Sequence, residues 1–126
     1  MKNSLIVLIG SGIDGIFRHL LNTFVIRITG TAFPWGILLV NLIGCTLMGL
    51  VIGWFSLRAV APQELRLFLT TGILGGFTTF SAFSLDTAVL YERGEPGLAA
   101  AYVVASVVLS IAGLFAAMGL VRMTVN

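Results

Sequence analysis

The segment from Thr70 to Ser84 contains residue types that can bind ions within an otherwise apolar chain. The adjacent glycines Gly75-Gly76 are followed, after one residue, by the adjacent threonines Thr78-Thr79. This composition predicts a helix that breaks near Gly75–Thr79. At membrane depth, freed backbone groups are tolerated only where they are buried in protein or line a cavity or ion site. Freed carbonyl oxygens at this break would favour a cation.

Two phenylalanines follow the predicted break directly. Phe80 and Phe83 are three positions apart, which places them on one helix face, and the hydroxyls of Ser81 and Ser84 flank them. An aromatic ring has a positive edge, so two rings turned edge-on can hold an anion without any formal charge. Such a site binds weakly, as conduction requires. An isolated pair of this kind usually packs, but the adjacent break and hydroxyls favour an ion site here.

Polar side chains on other segments could extend this site. Tyr102, Ser106 and Ser110 recur at every fourth position and form one stripe of hydroxyls. The stripe predicts a track for an ion; alternatively, each serine bonds to its own helix and the tyrosine lies in the membrane interface. Asn41 must find partners for its amide, as helix-helix contact or as an ion ligand.

Ionisable residues at membrane depth are costly and usually functional. Asp14 and Arg18 are four residues apart on one helix face, in the order that favours mutual neutralisation. Asp86 is an alternative partner for Arg18 from another helix. Arg66 lies near a helix end, where its side chain can extend to the interface.

The composition indicates that these residues belong to one small membrane domain covering residues 1–126. The chain is 58% hydrophobic and only 10% charged, with a mean hydropathy of +1.08. No length remains for a catalytic head, so we expect no enzyme. A net charge of +2 spread over the chain does not predict nucleic-acid binding. The single cysteine, Cys45, excludes an intrachain disulfide.

Hydropathy predicts an all-α membrane protein with four transmembrane helices, separated near the three prolines. The expected helices are Ser4–Ile28, Trp35–Leu57, Glu64–Tyr91 and Leu98–Val121, with the third one broken. The connection Arg93–Gly97 is typical of a helix stop, a turn and a restart. We do not expect a cleaved signal peptide, because the first apolar segment continues as helix without a cleavage site.

The basic residues give only a weak preference for one orientation in the membrane. With four spans, one face carries Lys2, Arg58, Arg66 and Arg122, and the opposite face carries Arg27 and Arg93. Insertion in both orientations and a single ordinary topology therefore both remain open. Four helices cannot readily enclose an ion path, so we expect a homodimer, and the small residues Gly49 and Gly53 favour close helix packing.

The sequence Gly10–Gly15 has the GxGxxG spacing of a dinucleotide-binding turn. That site also needs a strand, a helix and an acidic residue about 20 positions later, whereas the next acid after Asp14 is Glu64. The glycines are better explained as small residues that let a neighbouring helix approach.

Over nearly its whole length the chain resembles the Fluc, or CrcB, family of fluoride channels. The sequence Gly75–Ser84 is similar to the family's very specific GGxTTFSTFS motif. Further matches are Trp35-Gly36, Val40-Asn41-Leu42 and Gly44 in helix 2, Tyr102, Ser106 and Ser110 in helix 4, and Arg18 in helix 1.

The resemblance implies an antiparallel, dual-topology homodimer in the plasma (inner) membrane of a prokaryotic cell, in contact with lipid. Two passive pores would export fluoride and lower its cytoplasmic concentration. The backbone carbonyls of Gly75 and Thr78 from both subunits would hold a structural sodium ion at the dimer centre. The implied ion path consists of Phe80, Phe83, Asn41, Ser81, Ser110, Ser106, Tyr102 and Arg18.

Three positions depart from the family pattern. Ala82 and Ile37 stand where threonine is usual, so each loses a hydroxyl that could serve the ion path, and Asp14 replaces a small residue. We expect the fold to tolerate all three changes, with an effect on the transport rate.

Two rival functions remain open at the level of sequence. A small multidrug-type, proton-coupled cation antiporter would use Asp14 as its membrane carboxylate, although Arg18 one turn away would hold that group ionised. A purely structural helical module would have no transport activity, and replacing Phe80 or Phe83 by leucine would then change nothing measurable.

Overall fold

The computed structural model describes residues 1–57, 62–74 and 80–125, and its regular elements in these ranges are all helices. Helix α1 is Lys2–Thr29 and α2 is Trp35–Leu57. A short α3, Gln63–Arg66, continues into a π-helical segment, Leu67–Leu74. Helix α4 is Phe80–Glu92 and α5 is Pro96–Val125. The all-helical class predicted from the sequence is confirmed.

The helix bounds can be compared with those expected from hydropathy. Helix α2 coincides with the expected range, while α1 and α5 extend a few residues beyond theirs at each end. The expected third helix corresponds to α3, the π-helical segment and α4. The break predicted near Gly75–Thr79, and Arg58 in the preceding connection, lie outside the described residues.

Prolines and glycines mark the described helix ends. Pro34 and Pro62 directly precede α2 and α3, and Pro96 is the first residue of α5, where its missing N–H would have no partner in any case. Gly30 and Gly94 follow α1 and α4 with positive φ angles of 77° and 80°, a conformation that favours glycine. The stop, turn and restart predicted around Gly94 are thus confirmed.

Three helices in the described part of the chain are long and apolar enough to cross a membrane: Lys2–Thr29, Trp35–Phe55 and Pro96–Thr124. Their outer faces expose many large apolar side chains, among them Leu8, Phe17, Phe24, Val108 and Phe115. Large contiguous apolar surface of this kind suits lipid or another protein chain. The chain is therefore a multi-pass membrane protein.

Small residues bring α2 and α5 into close contact. A Cβ atom on Gly49 would collide with the Leu114 carbonyl, one on Gly113 would lie 2.6 Å from the Thr46 hydroxyl oxygen, and one on Gly53 would lie 3.2 Å from Val121. Glycine at these positions lets the two backbones approach. The close approach sets the polar residues of α2 against those of α5.

Glycine also permits the contact between α1 and the π-helical segment. A Cβ atom on Gly72 would lie 3.2 Å from the Gly10 Cα atom, and the Ser11 hydroxyl donates to the Gly72 carbonyl at 3.5 Å. The packing explanation of the GxGxxG sequence is therefore confirmed at Gly10, whereas within the described residues no neighbouring helix comes within 4 Å of a Cβ atom on Gly12 or Gly15.

Candidate functional site

A cavity of about 250 Å³ lies between α2, α4 and α5. We call it the aromatic cavity, and its lining residues are Asn41, Cys45, Phe80, Phe83, Ser106, Val107, Ser110 and Ile111. Five of these residues were predicted from the sequence to form the ion path: Asn41, Phe80, Phe83, Ser106 and Ser110. The fold thus brings together, from three helices, an amide, two aromatic rings and two hydroxyls.

The two phenylalanine rings form one wall of the aromatic cavity. Their centroids are 5.7 Å apart and their planes are tilted by 41°, so the rings do not stack face to face. Phe83 is half-buried, whereas Phe80 is 80% exposed. The described residues of a single chain therefore leave the Phe80 side of the cavity open.

The two serines of α5 are buried without a partner for their hydroxyls. Ser106 and Ser110 are only 3% and 7% exposed, and neither hydroxyl oxygen makes a hydrogen bond to any part of the chain that the structure describes. Ser106 lies beside Tyr102 and Ser110 lies beside the Cys45 thiol, but without the distances and angles of a hydrogen bond.

Threonines elsewhere in the chain behave differently. Four of them donate the hydroxyl to the carbonyl four residues earlier: Thr29 to Val25, Thr46 to Leu42, Thr70 to Arg66 and Thr87 to Phe83. This is the bonding that the alternative interpretation of the α5 serines required. That alternative is wrong for Ser106 and Ser110, whose hydroxyls are available to a species in the cavity.

Asn41 adds a third polar group of the same kind. Its Oδ1 atom is buried and accepts no hydrogen bond within the described ranges. A buried polar atom without a partner destabilises the fold by about 1–3 kcal/mol. Three such atoms around one cavity therefore indicate a site that a ligand can stabilise. A half-turn of the amide exchanges the positions of its oxygen and its NH₂ group, which donates two hydrogen bonds.

Tyr102 borders the aromatic cavity without lining it. Its side chain is fully buried and stacks on Phe83, with centroids 5.2 Å apart and an interplanar angle of 28°. Its hydroxyl donates to Asp86 Oδ2 at 3.4 Å. The Tyr102 ring is thus enclosed by protein, and its place in an ion track or at the membrane interface stays a prediction. No local sequence pattern predicts its hydrogen bond to Asp86.

Arg18 and Ser81 line a different cavity. This second cavity measures about 470 Å³ and is lined by Gly15, Arg18, His19, Asn22, Ile37, Ser81, Ala82 and Leu85. Ile37 and Ala82 are the two positions at which the family pattern has threonine, so both departures fall on the wall of this cavity. Seven of the eight predicted ion-path residues thus line one or other of two cavities, and Tyr102 lines neither.

Asp14 and Arg18 form an ion pair within α1, with Arg18 Nη1 3.9 Å from Asp14 Oδ2. The Asp14 side chain is only 2% exposed, and its Oδ1 atom has no hydrogen-bond partner in residues 1–57, 62–74 or 80–125. Asp14 lines neither the aromatic cavity nor the second cavity. The pairing that the four-residue spacing predicts is present, and it places the Arg18 cation beside the carboxylate that the antiporter alternative would use.

The residues expected to hold sodium, Gly75 and Thr78, lie outside the described residues. Within the described ranges, no cluster of three or more His, Cys, Asp or Glu side chains has the arrangement of a metal site. A sodium site made of backbone carbonyls would not contain such a cluster.

Cys45, Val107 and Ile111 line the aromatic cavity although they were not among the predicted site residues. Cys45 follows Asn41 by four positions on α2 and so shares its helix face, a signal that was present in the sequence. Val107 and Ile111 follow Ser106 and Ser110 directly, and their apolar side chains gave no signal.

Comparison with known proteins identifies close relatives. The sequence pattern of the family described as "CrcB-like protein, Camphor Resistance (CrcB)" matches residues 5–120. A protein of Rhodopseudomonas palustris strain BisB5 named "Fluoride-specific ion channel FluC" is 55% identical over 118 residues, covering 94% of this chain and 95% of the relative. Proteins of the same name from Granulibacter bethesdensis and Agrobacterium fabrum are 56% and 49% identical over 122 residues, covering 97% of this chain and 96% and 98% of the relatives.

Proposed function

This chain belongs to the CrcB-like family, and from that membership together with the aromatic cavity we propose that it is a fluoride-selective, passive ion channel that exports fluoride. The observation that carries the proposal is the wall of the aromatic cavity, where buried hydroxyl and amide groups without hydrogen-bond partners face two phenylalanine rings. The relatives that match over nearly the whole chain are named for fluoride. A passive channel needs no chemical step, so the protein is not an enzyme.

In the proposed mechanism, fluoride exchanges water for protein groups as it enters the aromatic cavity. Ser106 and Ser110 each supply an O–H donor, and Asn41 supplies N–H donors after rotation of its amide. The positive edges of Phe80 and Phe83 supply the remaining contacts. These partners carry no formal charge, so the ion binds weakly enough to leave again.

The membrane potential drives the movement of the ion. It contributes about 2.3 kcal/mol per elementary charge for each 100 mV, and in a cell with a negative interior it pushes an anion outward. Tyr102 lies next to Phe83 and, in this proposal, continues the path beyond the serines. Arg18 and Ser81, on the second cavity, form a separate polar compartment through which the ion would approach.

We further propose that the channel is an antiparallel, dual-topology homodimer with two pores and four spans in each chain. The open Phe80 side of the aromatic cavity supports this proposal, because an ion there needs a wall that a second chain can provide. The exposed apolar side chains of α1 offer a surface for that chain or for lipid. The weak bias of the basic residues is compatible with insertion in both orientations.

A structural sodium ion at the dimer centre is part of the same proposal. The expected ligands are the backbone carbonyls of Gly75 and Thr78. Oxygen ligands suit a hard cation, and the π-helical segment Leu67–Leu74 leads directly towards these residues. The Gly72 carbonyl of this segment accepts a hydrogen bond from the Ser11 hydroxyl of α1. The bacterial relatives support a location in the plasma membrane of a prokaryotic cell.

The proposed function is tested by anion efflux from liposomes. The purified chain is reconstituted into vesicles loaded with equal concentrations of fluoride and chloride, and ion-selective electrodes record both after a potassium ionophore sets the potential. We expect rapid fluoride loss with negligible chloride loss, and no loss from vesicles without protein. Retention of both ions by protein whose mass is twice the 13.4 kDa of the chain would contradict the proposal.

A further inference from the structure

Cys45 places a thiol group in the wall of the aromatic cavity. It lies on α2 one turn after Asn41 and lines the cavity together with Phe80, Phe83 and Ser110. Its side chain is half-buried rather than enclosed, and its thiol lies beside the Ser110 hydroxyl. It is the single cysteine of the chain, so any reaction with thiols can be assigned to this position.

The surroundings of the thiol indicate that it faces a ligand rather than packed side chains. The Ser110 hydroxyl is more than nine-tenths buried, lines the same cavity and has no hydrogen-bond partner in the described ranges. The Asn41 Oδ1 atom is buried and equally without a partner. An anion that accepts from the Ser110 hydroxyl and, after rotation of the amide, from the Asn41 NH₂ group would lie between α2 and α5, and the Cys45 side chain lines that interval.

We infer that Cys45 is a further residue of the ion path and the site at which thiol-reactive compounds slow fluoride conduction. The inference rests on the proposed function. A thiol is a weak hydrogen-bond donor, so its S–H group can contact a passing anion between Asn41 and Ser110 without holding it. Attachment of any group to the sulfur removes that donor and fills part of a cavity of about 250 Å³.

The experiment uses methyl methanethiosulfonate, a small neutral reagent, on the reconstituted full-length protein. The Cys45 thiol releases its proton to water, and the thiolate attacks the sulfenyl sulfur of the reagent. A protein–S–S–CH₃ disulfide forms, the S–SO₂ bond breaks, and methanesulfinate leaves with the electron pair. Fluoride efflux is recorded before and after treatment, and intact-protein mass spectrometry measures the extent of modification. Benzyl methanethiosulfonate repeats the test with a larger group.

We expect modification of the wild type to slow fluoride efflux by about tenfold, because the attached group removes a weak donor and also fills part of the cavity. Cys45→Ser keeps a donor at the position and should conduct fluoride but ignore the reagent. The matched control is the double variant Cys45→Ser with Leu47→Cys, which moves the thiol to an exposed α2 position outside the cavity. Its efflux should remain unchanged by the reagent.

Three results would overturn the inference while leaving the proposed function standing. In the first, the wild type conducts fluoride but the reagent does not modify it. In the second, the wild type is modified without a change in efflux. In the third, the reagent slows efflux equally in the wild type and in Cys45→Ser. If neither wild type nor Cys45→Ser conducts fluoride, the proposed function fails and the inference fails with it.

Discussion

Replacing Ser110 by alanine separates an ion-path role from a structural role. The Ser110 hydroxyl is buried and makes no hydrogen bond to the described residues. Its removal therefore eliminates no bond of the folded chain, and it relieves a burial cost of about 1–3 kcal/mol to the extent that the group is unsatisfied. We expect Ser110→Ala to be as stable as the wild type or more stable.

The same substitution should slow conduction. A hydrogen bond to a charged species contributes about 1.5–3 kcal/mol, which corresponds to a change of about ten- to a hundredfold in a rate or binding constant. Because other donors in the cavity compensate in part, we expect fluoride efflux to fall by about tenfold, the lower end of that range. Efflux is measured with a fluoride electrode, and stability is measured as the denaturant midpoint of the purified protein.

Thr46→Val is the matched control for Ser110→Ala. Thr46 also lies at the contact between α2 and α5, but its hydroxyl donates to the Leu42 carbonyl at 2.7 Å and does not line the aromatic cavity. This change keeps the side-chain shape and removes a satisfied hydroxyl, so it should leave efflux unchanged. The reasoning would be refuted by unchanged efflux in Ser110→Ala, or by a destabilisation of Ser110→Ala that accounts for its loss of efflux.

Three further predictions follow from the geometry. Phe83→Leu should slow fluoride efflux more than tenfold, because it removes the ring edge and the stacking on Tyr102. Phe115→Leu, on the outer face of α5, should not slow efflux. Equal efflux of the two variants in the electrode assay would contradict this prediction. Gly49→Ala should destabilise the chain by about 1–3 kcal/mol because its Cβ would overlap the Leu114 carbonyl. Gly53→Ala should cost less in denaturant unfolding, because its Cβ would lie 3.2 Å from Val121 and 3.4 Å from the Met118 backbone, which a smaller shift can accommodate. Asp14→Asn should retain fluoride conduction because Asp14 lines neither cavity, and neither the wild type nor this variant should show proton-coupled efflux of an aromatic cation. Cation efflux in the wild type that is lost in Asp14→Asn would favour the antiporter.

The local features of this site could be predicted from the sequence, but its three-dimensional arrangement could not. Hydropathy and the prolines located the helices, and the spacing of Ser106 and Ser110 placed both hydroxyls on one face, because these signals depend only on helix periodicity. The choice between a serine that bonds to its own helix and one that faces a cavity depends on tertiary packing. Spacing alone could not make that choice.

Long-range pairings were also beyond local sequence signals. Asp86 accepts a hydrogen bond from Tyr102, 16 residues later on the next helix, and no local pattern relates the two positions. The division of Arg18 and Phe83 between two cavities depends on how α1 and α5 pack around α2. Glycines at the helix contacts permit that packing, but a small residue in the sequence does not indicate which helix it contacts.

The separation of charge from the aromatic cavity explains how a polar site within a membrane can release an anion. A full positive charge 4 Å from the ion would hold it by about 4 kcal/mol at an effective dielectric constant of 20, which would slow its release by about a thousandfold. Arg18 lines the other cavity and has Asp14 as an ion-pair partner, and the residues that line the aromatic cavity carry no formal charge. In the proposed mechanism, hydroxyl, amide and ring-edge groups each stabilise the ion weakly, so thermal motion can break their contacts one at a time. Replacing one of these neutral groups by a cationic side chain should therefore strengthen fluoride binding and slow its conduction.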